Sequence, residues 1–263
     1  MLVNLTQGHL SLLEECPRKF RQVYLEGLSG PPTPDLLTSQ LWGNRFHLLM
    51  QQRELGLPVL PDSPAPVDPM DVGLRDCVHA LVAAAPGLFR PELGQFRQSE
   101  HRRSLAFNGY SLTAIYDLMI LSPGSGLIVD WKTYLQARDR NRLERDWQTR
   151  LYLYLLVETT DLAPEQVAMS YWFVRQRDPQ TGELAPQEVK ITYSTQKHER
   201  TRQDLERLTT ALTRYQTSGE FPQVSLAEGT CDRCSFVVPC DRLESGQGLT
   251  QLLSLAEIEE VPL

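Results

Sequence analysis

Apolar residues near the start of the chain recur at helical spacing. Leu12, Leu13, Cys16, Phe20, Val23 and Tyr24 predict a helix over Gly8 to Leu28, with Ser11 as its N-cap and Gly27 as its stop. Two more helical patterns run from Ser39 to Leu55 and from Val72 to Ala85. Between them, Gly30-Pro31-Pro32-Thr33-Pro34 predicts a loop. The five prolines between Gly56 and Asp71 predict a long surface excursion. The period then changes to two. Ser104 to Leu121 forms two strand-like runs about the turn Asn108-Gly109, and a third strand, Leu127 to Asp130, follows the turn Ser122 to Gly126. Leu143 to Thr159 reads as an apolar helix and Lys197 to Ser218 as a long amphipathic one. Val167 to Arg175 and Pro186 to Tyr193 read as strands. This succession predicts an α/β fold with a central mixed sheet flanked by helices.

A length of 263 residues suits one such domain with decorations, and 41% hydrophobic residues suffice for a sizeable core. No apolar run approaches the roughly 18 residues that span a bilayer. The N-terminal residues carry no basic region or cleavage site, so a cytoplasmic protein with no membrane partner is expected. A net charge of −7 excludes a general nucleic-acid-coating protein, which is basic throughout. It leaves room for a local basic groove. Arg138, Arg140, Arg142, Arg145 and Arg150 form such a cluster. They read either as a footprint for phosphates or as a solvated face balanced by Asp139, Glu144 and Asp146.

The main chemical signal is Asp117 followed by Asp130-Trp131-Lys132. With the intervening turn centred near Gly124, the two aspartates fall within about one residue of being cross-strand neighbours. Like charges so placed repel, and a divalent cation relieves the repulsion because hard cations prefer carboxylate oxygens. Asp130 and Lys132 are two residues apart and share a face, while Trp131 points the other way into the core. Two carboxylates holding Mg²⁺ or Mn²⁺, beside a lysine that orients water and neutralises developing charge, suit phosphodiester hydrolysis. An isolated D-x-K tripeptide is common surface charge, so its company matters. Gln148 and Tyr152 lie four apart on one helix face. His47, in Gly43-Asn44-Arg45-Phe46-His47, is either a metal ligand or a structural histidine. Trp147 and Tyr152 are candidates for stacking on unpaired bases, with core packing the competing role for Trp147.

In this order, Cys16-Pro17-Arg18-Lys19-Phe20, Gly43 with His47, Ile115-Tyr116-Asp117, Asp130-Trp131-Lys132 and Gln148-x-x-x-Tyr152 resemble the RecB-like branch of the PD-(D/E)XK nucleases over nearly the whole chain. That branch includes the nuclease domains of bacterial recombination helicase–nucleases and the CRISPR-associated adaptation exonucleases. The resemblance implies a restriction-endonuclease-like fold: a single domain over 1–263 with its nuclease core at about 95–220. It also implies Mg²⁺- or Mn²⁺-dependent cleavage of DNA, exonucleolytic on single-stranded ends, in repair, recombination or CRISPR adaptation, with a helicase or integrase as a compatible protein partner. His47, Asp117, Asp130 and the Trp131 carbonyl would then bind metal. Lys132 would be catalytic, and Gln148 and Tyr152 would contact DNA or support the site. Glu100 on the first strand matches a further acidic position. Asp130 stands where glutamate is frequent, a difference the motif permits.

Five cysteines in a chain expected to be cytosolic point to reduced thiols or metal ligands. Cys231-x-x-Cys234-x5-Cys240 together with Cys16 makes four thiolates, which suit Zn²⁺ or an iron–sulfur cluster. A zinc ribbon normally uses two close pairs, whereas three clustered ligands plus a distant fourth match the iron–sulfur members of the same branch. A [4Fe–4S] cluster is therefore favoured over zinc, tying residues 1–28 to 225–243. Cys77 falls outside the pattern and reads as a small buried apolar residue. The competing readings are a non-catalytic iron–sulfur DNA-binding or redox-sensing module and a zinc-dependent interaction protein.

Overall fold

Residues 3–28, 34–58, 68–90, 92, 94–135 and 138–242 are described here from a computed structural model. The loop expected over 30–34 falls largely outside them, as do most of the 56–71 excursion and the acidic tail at 249–263.

The elements follow in order β1 (Val3–Leu5), α1 (Gln7–Glu15), α2 (Pro17–Phe20), α3 (Pro34–Glu54), α4 (Pro69–Ala84), β2 (Phe96–Phe107), β3 (Tyr110–Ser122), β4 (Ser125–Lys132), α5 (Arg140–Arg145), α6 (Trp147–Glu158), β5 (Val167–Phe173), β6 (Gln187–Thr192) and α7 (Thr195–Ser218). Two expected helices are each broken. The first is interrupted at Cys16, which is extended (φ −163°, ψ 111°) because Pro17 disfavours helical geometry in the residue before it. Ser11, expected to cap this helix, lies inside α1 instead. A π-helical turn, Arg21–Leu25, continues from α2, and the segment ends at Gly27 (φ +68°) as expected. The second break is at Asp146, whose ψ of 140° closes α5 and opens α6. Helix α4 starts earlier than expected because Asp68 accepts a hydrogen bond from the Met70 amide and Pro69 occupies the first turn.

The sheet is mixed, as expected. β3 pairs antiparallel with β2 along one edge; on its other edge it pairs parallel with β1 and antiparallel with β4. β4 continues parallel to β5, and β5 antiparallel to β6. The β2–β3 hairpin turns at Asn108 (φ +45°) and Gly109 (φ +83°), the left-handed pair that matches strand twist in a two-residue loop. One face of the sheet is covered by α3 and α4: Trp42, Phe46, Leu49, Leu74, Val78 and Leu81 pack with Leu118, Ile120, Val129, Trp131 and Trp172. The other face carries α6, which is buried nearly all round.

The chain divides into two compact units, Met1–Ser11 with Gly30–Ala211, and Leu12–Ser29 with Leu212–Leu263. The first holds the sheet. Within the second, Phe20 stacks on Phe221 at 6.4 Å and the Arg18 amide donates to the Pro222 carbonyl at 3.1 Å. No helix among the described residues is long and apolar enough to cross a membrane.

Candidate active site and cysteine cavity

The register of β3 and β4 runs from Ser122↔Ser125 to Leu118↔Val129, and its continuation sets Asp117 opposite Asp130. The register of β2 likewise sets Glu100 opposite Asp117, between Ser99↔Leu118 and His101↔Tyr116. Three acids thus lie abreast on three adjacent strands. Their side chains do not share one face. The Tyr116 hydroxyl donates to the Tyr152 carbonyl on α6, whereas Leu118 lies in the core beneath α3 and α4. Residues two apart on a regular strand share a face, so the alternation breaks at Asp117. Glu100, its neighbour on β2, takes a left-handed backbone (φ +51°), which costs energy in a residue with a side chain.

This break divides the site into two groups. In the first, His47 Nδ1 lies 3.2 Å from Asp117 Oδ1 and His47 Nε2 lies 3.1 Å from the Trp131 carbonyl. The other Asp117 oxygen accepts from the Trp131 amide at 2.7 Å. Ligand atoms of His47, Glu100 and Asp117 all fall within 4.8 Å of one another. His47 reaches them from the flank of α3, next to the buried Phe46. In the second group, Lys132 Nζ lies 2.7 Å from Asp130 Oδ2 and donates to Gln148 Oε1 at 2.8 Å. Gln148 Nε2 donates to Asp130 Oδ1 at 2.5 Å. Gln148 can close this triangle because the Asp146 break places it in the first turn of α6. Tyr152, one turn on, donates to Gln7 Oε1 at 3.3 Å.

His47, Glu100, Asp130, Lys132 and Tyr152 are shifted by their surroundings. Burial lowers the His47 pKa, but the hydrogen bond and charge of Asp117, with Asp130 and Glu100, outweigh it and lift it to about 9. Both ring nitrogens face oxygen acceptors, which suits the imidazolium. Burial raises the Glu100 carboxyl, and Asp117 raises it further. Burial also pushes Asp130 above the usual carboxylate range, against the pull of Lys132. Lys132 is raised, since Asp130 more than offsets its burial. Burial, with the charges of Asp130 and Asp117, keeps the Tyr152 hydroxyl protonated at neutral pH.

The residues suit a divalent cation. Carboxylate and carbonyl oxygens with one imidazole converge, and Asp130 Oδ2 is buried beside Lys132 without an aligned hydrogen bond. The sequence-derived ligand set differs in one member. His47, Asp117 and the Trp131 carbonyl come together with Glu100, while Asp130 turns to Lys132 and Gln148. Glu100 could have been assigned more firmly: counting back from the Asn108-Gly109 turn places it opposite Asp117.

Two alternatives that the sequence leaves open are narrowed. Trp147 and Tyr152 are 3% and 6% exposed, leaving no ring face open to a nucleobase. The arginine cluster is also heterogeneous. Arg138 pairs with Asp146, and Arg150 pairs with Asp204 and lies over Trp147, whereas Arg140, Arg142 and Arg145 are exposed.

In the second unit, Cys16, Cys231, Cys234 and Cys240 line one cavity with Phe236 and Val237. None of the four forms a disulfide. N–H donors approach two of the sulfurs: Arg242 Nη1 lies 3.6 Å from Cys231 and Gln22 Nε2 lies 3.8 Å from Cys240. Four thiols with such donors form a set suited to a thiolate-ligated centre. Cys77 lies elsewhere, in the core beneath α3 and α4, where burial pushes its thiol up to about 11.

A profile of the PD-(D/E)XK nuclease superfamily matches residues 4–241. No curated protein matches the sequence. Among solved structures, one from Eubacterium rectale, provisionally named an exonuclease, is similar over 95% of this chain and 92% of its own, at 11% identity and a TM-score of 0.54. At that identity the likeness is one of fold. Another, SSO0001, aligns over 92% of this chain and 88% of its own at 15% identity, with a TM-score of 0.40. The matched residues take in the carboxylate site and all five cysteines, and the chain belongs to the PD-(D/E)XK nuclease superfamily.

Proposed function

We propose that this nuclease is a Mg²⁺- or Mn²⁺-dependent deoxyribonuclease of the RecB-like branch. It hydrolyses phosphodiester bonds at single-stranded DNA ends, in repair, recombination or CRISPR adaptation, and holds a [4Fe–4S] cluster on Cys16, Cys231, Cys234 and Cys240. The observation that carries the catalytic reading is the meeting of His47, Glu100 and Asp117 beside the Asp130–Lys132–Gln148 triangle. His47, Asp117, Asp130 and the Trp131 carbonyl, together with Glu100, would hold the cation. When bound, the ion supplies Lewis-acid polarisation of the phosphate and a more acidic water. Lys132, with its raised pKa, stays cationic at neutral pH. It therefore acts through its charge, countering the negative charge that develops on the phosphate, and not as a general base. Gln148 and Asp130 fix its ammonium, and Tyr152 packs behind them as a neutral support. The direct test incubates anaerobically purified protein with end-labelled DNA, with and without Mn²⁺. Absence of metal-dependent cutting on any DNA end overturns the reading.

Metal binding should strengthen with pH. His47 carries a proton up to about pH 9, and a cation must displace it. Raising the pH from 7 toward 9 relieves that competition, so Mn²⁺ affinity should rise by about tenfold per unit and level off above about 9. Calorimetric titration at several pH values measures this. A flat profile removes His47 from the ligand set.

Arg140, Arg142 and Arg145 are the exposed part of the basic cluster and the proposed phosphate contacts. Replacing all three by glutamine should weaken DNA binding equally for all sequences. It should also flatten the dependence of log affinity on log salt by about 0.7 for each phosphate no longer neutralised on single strands. Affinity measured against salt without divalent metal tests this, and an unchanged slope assigns the three to a solvated face.

A further inference from the structure

Strand β4 ends at Lys132, and the next three residues leave the sheet beside the carboxylates. Several contacts hold this short segment. A Cβ on Gly43 of α3 would lie 3.2 Å from Thr133 Oγ1, so glycine there lets the helix and the segment approach closely. Gln176 Nε2 donates to the Tyr134 carbonyl at 3.3 Å. The Arg138 guanidinium lies 4.8 Å from the Tyr134 ring centroid, and Lys132 Nζ lies 5.9 Å from it. Two cations thus approach the ring, yet Tyr134 remains 45% exposed and Leu135 68% exposed. Both line a cleft of about 980 Å³ that also contains His47 and Glu100, with Leu36 and Leu48 of α3 on its wall.

Leu36, Leu48, Tyr134 and Leu135 give one part of this cleft the character that suits the face of a base, while Arg175 lines the same cleft. Phosphates seek arginine, lysine and backbone amides, whereas apolar side chains and an aromatic ring gain by covering one another. Inside a duplex the base faces are hidden by stacking, whereas every base of a single strand can lay its face on a protein ring. Arg138 lies over the Tyr134 ring, and the residue remains exposed on the cleft. We propose that Tyr134 is the stacking platform for an unpaired base next to the scissile phosphate, with Leu135, Leu36 and Leu48 forming the surrounding apolar wall. Tyr134 thereby selects DNA ends that are single-stranded or frayed. This inference rests on the nuclease reading above and supplies the base contact that the buried Trp147 and Tyr152 cannot make.

The test uses the full-length protein with Mg²⁺ and Mn²⁺ left out. Oligonucleotides carry fluorescent 2-aminopurine near one end or the other, as single strands and as blunt duplexes of equal length. Single-strand binding should quench the fluorophore at one end. Tyr134→Ala should abolish the quench and weaken single-strand binding by about 5- to 150-fold, the range that removal of one stacked base implies. Duplex affinity should not change, and Tyr134→Phe should restore both signals. Unchanged single-strand affinity in Tyr134→Ala, or equal weakening on single strands and duplexes, overturns the proposal. Adding Mn²⁺ separates the two readings. A wild-type protein that binds and quenches but never cuts ends the nuclease reading and leaves the platform standing. Undiminished single-strand cutting by Tyr134→Ala does the reverse.

Discussion

Asp117→Asn should leave the protein folded and reduce DNA cleavage by roughly 10³-fold or more, because it removes a charged ligand from a unit whose members act together. The Asp117 carboxylate serves His47 and the Trp131 amide from a position still 12% open to solvent, and asparagine keeps an oxygen acceptor for the Trp131 amide and an amide that can donate to a neutral His47 Nδ1. Asp130→Ala should be equally inactive but for mixed reasons. Its carboxylate is 4% exposed and faces an ammonium that is 13% exposed. Removing one member of a buried ion pair strands the other, at a cost of about 3–5 kcal/mol. For a domain of ordinary stability, about 5–15 kcal/mol in all, that is a large fraction. Cleavage of end-labelled DNA and thermal unfolding, measured on both variants, separate the effects. Substantial cutting by Asp117→Asn would remove the proposed metal site, and a wild-type melting temperature for Asp130→Ala would show that Lys132 does not depend on it.

Cys16→Ala should discharge the metal content of the protein and lower its melting temperature as much as Cys231→Ala does. Anaerobic wild-type protein should be brown, with about four irons per chain. The ligands at Cys16 and Cys231 are 215 residues apart (231 minus 16). Closing a loop of that length restrains the unfolded chain by on the order of 5 kcal/mol in the loop-entropy picture. For a chain of this size, forfeiting that restraint corresponds to a fall in melting temperature on the order of 10 °C. Cys77→Ala serves as the control, since its thiol lies in the core beneath α3 and α4 and not at the cavity. Metal content should stay at wild-type level there. One zinc per chain and no visible absorption decides for zinc; no metal at all, with melting unaffected by Cys16→Ala, ends both assignments.

The hairpin registers were largely legible in the sequence because turn residues announce themselves. Asn108-Gly109 and Pro123-Gly124 fix which residues face each other, and Asp117 opposite Asp130 follows by counting. The direction of the side chains was not legible. Counting in twos assumes a regular strand, and the break at Asp117 with the left-handed Glu100 sends one carboxylate toward α3 and the other toward α6. The division of α5 from α6 was hidden for a related reason. The apolar pattern runs through Asp146 without interruption, and only the extended geometry of that residue separates the helices. β1 went unpredicted because three residues carry no periodic signal, and its strand state depends on distant pairing with Tyr110–Leu112. The arginine cluster was read as one feature because charge can be counted along a sequence, whereas the partners Asp146 and Asp204 that occupy two of its members are set by packing.

The cavity that collects Cys16 with Cys231, Cys234 and Cys240 also orders events during synthesis. Cys16 is made before the hairpins of the sheet, and its three companions after β6 and α7. At about 5–20 residues per second, the ribosome needs on the order of 10–40 seconds to bridge the gap. The six strands among the described residues are made before the first of the late cysteines is added. The sheet can therefore be complete while Cys16 still waits as a lone thiol, open to oxidants and to stray metal. Whatever is held by all four thiols can be bound only after Cys240 has been made.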